Sequence, residues 1–431
     1  ETKLTRIAEL AKQKPRVKLQ TLIHAIDEES LKAAHSALST GKASGVDAMT
    51  KEKYGEKLQE NITDLLARMR RQAYRPQAVK RVYIPKSDGK KRPLGIPSYE
   101  DKLVQRTLNE ILTVIYETEF LECSYGFRPG RSCHDALKEV ARILETRKVS
   151  YVVDADIKGF FDNVDHEWMM KFLQERIQDP SLLRLIQRFL KAGIIEAGIE
   201  YETDTGTPQG GIISPTLANV YLHYVLDLWF TVKIKRECRG EAYLIRYADD
   251  FICFFQHQSD AEVFYGKMIE RLRKFNLEIA EEKTKIIEFG RFAADNRAKQ
   301  GGSKPDTFNF LGFTHYCSKS KTGNFRVKRK TIRKKFKAKL KVFAEWLYHN
   351  MHTEIGELIK EVNAKLIGHY HYYGVTDNSN AIRAFGYRIR RKMFEVLNRR
   401  SQKKSLTWEG FAKLEKRFPL ARARIYINIY G

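Results

Sequence analysis

The chain has 431 residues, 42% of them hydrophobic, with 24 Phe and 21 Tyr; that is material for more than one packed core, so two or three domains are expected. No run of about 18 apolar residues occurs, and the N-terminus is polar and charged, which argues against a membrane span and a secretory signal. The net charge is +25, and residues 321–431 hold 27 Lys and Arg against 8 Asp and Glu, a net of +19, the mark of a polyanion-binding surface.

Residues 1–40 carry apolar side chains at helical spacing (Leu4, Ile7, Leu10, then Leu22, Ile23, Ile26). A turn-rich loop, Gly41-Lys42-Ala43-Ser44-Gly45-Val46-Asp47, interrupts a helical pattern that resumes to about Arg71. From Tyr74 the texture changes to an alternating strand, residues 79–85, a basic turn at residues 86–92 and a returning strand, residues 93–97. The hairpin sets Lys86 and Arg92 at its tip, where they serve either as a solvated turn or as a clamp on a triphosphate. A helix is expected over residues 102–120, followed by the loop Ser124-Tyr125-Gly126-Phe127-Arg128-Pro129-Gly130-Arg131-Ser132 and a helix over 135–146.

Tyr151-Val152-Val153-Asp154-Ala155-Asp156-Ile157 alternates as a strand, so Asp154 and Asp156 share a face. The acidic residues that follow, Asp162, Asp165 and Glu167, suit a helix N-terminus. The carboxylate closing the strand has two readings, helix capping and metal binding. After a helical stretch, residues 168–193, comes Thr205-Gly206-Thr207-Pro208-Gln209-Gly210-Gly211, a loop that lets backbone amides approach a nucleotide closely. It leads into a helix expected at residues 214–230, with a basic connector at 231–240.

Tyr247-Ala248-Asp249-Asp250 sits between two β-prone runs, residues 242–245 and 251–255, and reads as the tip of a hairpin. Alone, an Asp-Asp tip is a solvated turn or a cation site; paired carboxylates in a partly dehydrated place repel unless a cation neutralises them. Mg²⁺ suits such hard oxygen ligands. A helix over 260–275, a turn and strand near Leu277 to Ile287, a flexible surface insertion at 291–307 and a short strand, Phe308 to Phe313, precede the basic helical region beyond Lys319. There the runs Arg333-Lys334-Lys335 and Arg388-Ile389-Arg390-Arg391-Lys392 interleave with aromatics such as Tyr370, Tyr372 and Tyr373; spread over so long a region, they do not make one amphipathic membrane anchor. Five cysteines form no CxxC pair and read as free thiols of a reducing cytosol.

Taken together, the wording Ser124-Tyr125-Gly126-Phe127-Arg128-Pro129, Thr207-Pro208-Gln209-Gly210-Gly211, Tyr247-Ala248-Asp249-Asp250 and Phe310-Leu311-Gly312-Phe313 resembles the bacterial group II intron-encoded reverse transcriptase/maturase family. The likeness runs from about residue 20 to 395, and residues 41–47 resemble that family's N-terminal extension motif. It implies an α+β, right-hand polymerase fold: fingers, a palm with an antiparallel sheet, and an α-helical thumb. The expected division is a mostly helical N-terminal extension (1–72), fingers interleaved with palm (73–155), palm with fingers insertions (156–319), helical thumb or maturase domain (320–395), and a short basic C-terminal region, a DNA-binding remnant (396–431).

The resemblance also implies roles. Asp156, Asp249 and Asp250 would be catalytic and, with the Ile157 carbonyl, would hold two Mg²⁺ ions, Mn²⁺ serving as a substitute; Asp154 would be structural. Lys86, Arg92, Phe160, Phe161, Gln209 and Lys283 would bind the dNTP, with Phe161 as a gate against the 2′-hydroxyl and Lys283, or the nearby Lys285, protonating pyrophosphate. Arg128, Gly210, Gly211, Arg333, Lys334, Lys337, Arg390 and Arg391 would contact nucleic acid. The implied partners are an RNA template with a DNA or RNA primer, dNTPs, group II intron RNA and target DNA, with no membrane, for a monomer or dimer in the bacterial cytosol or nucleoid. The chain starts at Glu1 without Met, as a trimmed sequence would, and ends at Gly431 with no Cys- or His-rich nuclease module, so no DNA endonuclease activity is expected. Two alternatives stand beside an intron polymerase that assists splicing and mobility: a domesticated relative in DNA repair or phage defence, and a splicing cofactor whose polymerase activity is dispensable.

Overall fold

A computed structural model describes residues 2–15, 17–85, 91–196, 199–201, 205–207, 210–302, 304–400 and 406–430. The chain divides into two compact units, residues 1–133 with 155–286, and residues 134–154 with 287–431. Helix and sheet are mixed throughout, an α+β composition. Eleven strands are described: β1 (Val79–Pro85), β2 (Lys91–Ile96), β3 (Tyr151–Asp156), β4 (Ile194–Glu196), β5 (Ile199–Tyr201), β6 (Ala242–Tyr247), β7 (Asp250–Phe255), β8 (Lys285–Glu288), β9 (Phe308–Phe310), β10 (Phe313–Lys319) and β11 (Phe325–Thr331).

The first unit opens with helices Lys3–Gln13, Glu28–Ala37 and Leu58–Arg70. Its central helix, Tyr99–Tyr116, starts where Ser98 accepts the Asp101 N–H, and it buries Leu103, Val104, Leu108, Ile111, Leu112 and Ile115 completely. Those positions recur every three to four residues, which gives the helix one continuous apolar face. The β1–β2 hairpin is antiparallel, and with β4 and β5 it forms a sheet in the order β2-β1-β4-β5. A second sheet runs β6-β7-β3-β8. The unit boundary falls inside β3 and β8, so Ala155, Asp156, Lys285 and Ile286 go with the first unit.

The helix expected at residues 214–230 continues through the stretch read as a connector. After Ser214–Leu222 it widens into two π-turns, His223–Asp227 and Phe230–Ile234, and returns to α geometry at Lys235–Glu237. Burial explains the extension: Phe230 and Ile234 face the core, while the basic residues that suggested a loop stay on the outer side.

In the second unit a meander of order β11-β10-β9 leads into helices Arg333–His349, Ile355–Tyr373, Ser379–Asn398 and Trp408–Arg417. Leu347, Val362, Leu366, Phe385 and Ile389 fill its core. The stretch expected as an insertion contains a helix, Ala293–Lys299, where Asn296 donates to Glu288 at 2.6 Å. None of the five cysteines is in a disulfide. Among the described residues no helix is long and apolar enough to cross a membrane.

Candidate functional site

The hairpin β6–β7 turns over only two residues, Ala248 and Asp249, because Tyr247 pairs directly with Asp250. Its strands are driven inward by their apolar side chains; Ile245, Phe251, Ile252, Cys253, Phe254 and Phe255 are fully buried. Two-residue hairpin turns require a positive φ at the first central residue, and Ala248 adopts φ 57°. For a residue with a Cβ this costs about 1–2 kcal/mol, so the surroundings must hold it. The loop at residues 123–126 does part of that: Arg246 N–H donates to the Cys123 carbonyl and Tyr125 N–H to the Arg246 carbonyl, each at 2.8 Å. Gly126 lies so close to the turn that a Cβ there would stand 2.4 Å from the Ala248 nitrogen.

Asp156 ends β3, the strand next to β7 in the same sheet. Its carbonyl accepts Ala280 N–H at 2.8 Å, and Lys158 N–H reaches the Glu278 carbonyl at 2.8 Å, which ties the strand end to residues 278–280. This brings Lys283 onto the carboxylate, with Nζ 2.6 Å from Asp156 Oδ2. Of the two lysines left open by the sequence, Lys283 is the one on Asp156, while Lys285 opens β8 on the surface. The Asp249 carboxyl is pushed above the ordinary carboxylate range by burial, and the charge of Asp156 pushes it the same way; Arg92 and Arg246 oppose the shift. Asp249 thus feels the charges of Asp156 and Arg92, and Asp156 in turn pairs with Lys283, four residues from four separate stretches of chain. Asp250 is half-buried at the start of β7.

Phe160 and Phe161 lie in a 3₁₀ turn after Gly159 and are buried, their rings 5.3 Å apart. The Phe161 carbonyl accepts Thr207 N–H at 2.8 Å, which docks the Gly-rich loop beside this turn. Gly210 has φ +113°, and a Cβ on it would meet the Gly95 carbonyl at 2.5 Å, so the loop is pressed against β2. The Gly211 carbonyl accepts Ser214 N–H at 3.3 Å where the following helix begins. Lys86 and Gln209 lie outside the described residues. A neighbouring cavity of about 320 Å³ joins Gly210 and Ile212 to Gly41, Lys42, Lys102 and Arg106.

Three of the arginines expected on nucleic acid have partners within the protein, Arg391 only through Glu395 at 3.9 Å on its own helix. Arg128 has a side chain only 4% exposed. It donates Nε and Nη2 to Glu117 and Nη1 to the carbonyls of Leu121 and Ser124, and its guanidinium sits 5.3 Å from the centre of the Phe120 ring. It therefore locks the 117–131 loop from inside. Arg390 pairs with Glu415 at 2.6 Å and lies over Trp408. Arg333, Lys334, Lys337 and Arg391 are exposed.

Sequence reasoning passed over Arg246 and Asp227. Both are 0% exposed and pair at 2.5 Å behind the turn. The signal was available: each is a charge inside an otherwise apolar run, and a buried charge demands a partner.

The donor set decides whether a metal ion fits here. Among the described residues no group of three His, Cys, Asp or Glu side chains gathers for a metal ion. Asp249 precedes β7 and Asp156 ends β3, the strand beside it, and the charge of Asp156 acts on Asp249. Hard divalent cations in nucleotide enzymes are held by one or two carboxylates plus substrate phosphates, so the donors present fit such an ion, with the remaining positions left to substrate and water.

The pattern of the reverse transcriptase (RNA-dependent DNA polymerase) family matches residues 84–315, and that of the group II intron, maturase-specific domain matches residues 333–413. The group II intron-encoded protein LtrA of Lactococcus lactis subsp. cremoris is 37% identical over 262 residues, which are 58% of this chain and 43% of that protein. Protein YkfC of Escherichia coli (strain K12) is 31% identical over 360 residues, 75% of this chain and 90% of its own length. A 91 kDa protein in the cob intron of Schizosaccharomyces pombe is 34% identical over 249 residues, 56% of this chain and 30% of that one. The match thus spans less than half the length of the Lactococcus protein.

Proposed function

This chain belongs to the family of group II intron-encoded reverse transcriptases and maturases, and from that premise we propose that it is an RNA-directed DNA polymerase that also binds group II intron RNA, assisting its splicing and mobility. In this reading the first unit supplies fingers and palm and the basic helices of the second supply the thumb. The observation that carries the proposal is that Asp249, at the tip of the β6–β7 hairpin, and Asp156, at the end of the neighbouring strand β3, close adjacent strands of one sheet, with Lys283 paired to Asp156 at 2.6 Å.

Two Mg²⁺ ions would be held by Asp156, Asp249 and the Ile157 carbonyl with Asp250 in support, and when bound they supply charge stabilisation for the attacking 3′ oxygen and the pyrophosphate leaving group. The residues of the chain do the rest. Arg92 and, outside the described residues, Lys86 bind the triphosphate bidentately or as point charges. Lys283 holds a proton beside Asp156 and delivers it to the departing pyrophosphate. Phe161 fills the space a ribose 2′-hydroxyl would take. The exposed lysines of Arg333–His349 track phosphates of the template–primer duplex without reading its sequence.

Primer extension on an RNA template tests this reading. Asp249→Ala is expected to abolish synthesis and to leave template–primer affinity within about twofold of the parent. Synthesis at the parental rate in that variant would remove the proposal.

A further inference from the structure

Behind the Ala248-Asp249 turn lies an ion pair that the chemistry above does not use. Arg246 Nε donates to Asp227 Oδ1 at 2.8 Å, and Nη2 donates to Asp227 Oδ2 at 2.5 Å and to Ser124 Oγ at 2.8 Å. Nη1 donates to Asn219 Oδ1 at 2.8 Å and to the Ala248 carbonyl at 3.0 Å. All five N–H groups of the planar guanidinium therefore have an acceptor. It is a rigid plate, fixed on three edges by the protein core, with its remaining contact on the turn itself.

The plate is itself anchored. Asn219 Nδ2 donates to the Gly126 carbonyl at 2.7 Å, so one amide bridges the guanidinium and the loop against which the turn packs. Asn219 and Asp227 are eight residues apart, which in a plain α-helix would leave them about 80° apart around the axis. The π-turn between them, closed by Leu228 N–H on the His223 carbonyl, absorbs one extra residue and returns both to the same stripe. Single π-turns recur at functional sites for this kind of register change.

A buried ion pair is a poor way to gain stability, because apolar side chains of similar volume fill the same space without the desolvation cost. What they cannot do is hold the Ala248 carbonyl. We propose that Arg246, braced by Asp227, Asn219 and Ser124, is a positioning residue that fixes the Ala248-Asp249 turn and so aims the Asp249 carboxylate at Asp156. The catalytic half of this inference rests on the polymerase reading; the geometric half does not.

The test uses the full chain carrying Arg246→Met with Asp227→Leu, which leaves no unpaired buried charge. The double variant is expected to melt cooperatively near the parental temperature and to bind an RNA–DNA duplex as the parent does. Its turn amides, residues 248–250, should exchange hydrogen at least tenfold faster. Mn²⁺ alone, followed by its paramagnetic resonance signal, should bind at least tenfold more weakly, and kcat should fall about 10²-fold, the usual effect of an ångström-scale misplacement. Parental exchange, Mn²⁺ affinity and kcat in the folded double variant would overturn the proposal. If the double variant does not fold, Arg246→Lys replaces it: the lysine keeps a cation beside Asp227 but lacks the fork, so the same losses are expected and parental behaviour again overturns the inference. A parent that extends no primer would defeat the polymerase reading, while exchange and Mn²⁺ binding would still decide the role of Arg246.

Discussion

Replacing Gly126 by alanine adds one methyl group at the tightest point behind the turn. Its Cβ would stand 2.4 Å from the Ala248 nitrogen and 2.9 Å from the Tyr247 carbonyl carbon. Both are backbone atoms on the chain that carries Asp249, and they cannot swing aside as a side-chain tip would. Relief to an ordinary contact requires a retreat of about 1 Å by the loop or the turn, and crowding of this kind costs about 1–3 kcal/mol of stability. A 1 Å displacement of a reacting group costs about 10²-fold in rate, or about 2.7 kcal/mol of barrier. The assay is kcat for primer extension at saturating dNTP and template–primer, with duplex affinity measured in parallel. A loss of about 10²-fold in kcat with affinity within about twofold is expected. Gly266→Ala serves as the control, because Gly266 lies in helix Gln258–Lys274 with nothing within 4 Å of the added methyl; it should gain about 0.5–1 kcal/mol of stability without changing the rate. Parental kcat in Gly126→Ala would refute the claim that this contact sets the turn.

Phe161→Ala should increase ribonucleotide incorporation relative to deoxynucleotide, at a stability cost of about 3–5 kcal/mol because the ring is buried; unchanged discrimination would make Phe161 an ordinary core residue. Neutralising Lys334, Lys335 and Lys337 should weaken duplex binding most at low salt and reduce the slope of log affinity against log salt by about one for each phosphate left without its lysine. An unchanged slope would mean that this helix does not touch phosphate. Burial holds the imidazoles of His315 and His369 down at about 3, helped by Arg329 and Lys339 respectively. The folded chain therefore stays unprotonated at pH values where the unfolded chain, near 6.5, takes up protons, so this stability is complete above about pH 6.5 and drains away as pH falls toward 3. His369→Phe, which keeps the stack on Phe385 at 3.7 Å, should flatten the acid limb of the unfolding free energy by about 1.4 kcal/mol per pH unit at mid-range. Denaturant melts between about pH 4.5 and 6.5 measure it, and an unaltered slope would contradict the buried, neutral state.

The hairpin bearing Asp249 was legible because its flanks are continuous β-prone runs, and Asp156 because strand alternation places it on one face. The pairing of Arg128 and Arg390 within the protein was not: Glu117 and Glu415 lie 11 and 25 residues from their partners, at separations no local period relates. Nor could periodicity reveal the π-turns at His223–Asp227 and Phe230–Ile234. They keep residues 231–237 helical by packing Phe230 and Ile234, and a basic composition hid that. The helix Ala293–Lys299 escaped notice because Gly301 and Gly302 directly after it read as loop. Gly126 and Arg246 stood in view as letters, yet their importance lies in distances of 2.4 Å and 3.0 Å to the turn, which only coordinates supply.

In the proposed reaction Asp156 and Asp249 work as one unit in nucleotide addition. Single-turnover incorporation by Asp156→Asn, Asp249→Asn and the double variant, each saturated with template–primer, measures that directly. Residues acting as a unit are non-additive, so each single variant should lose essentially all incorporation and the double variant should be no slower. Losses that multiply, or a single variant that retains a substantial fraction of the parental rate, would contradict it.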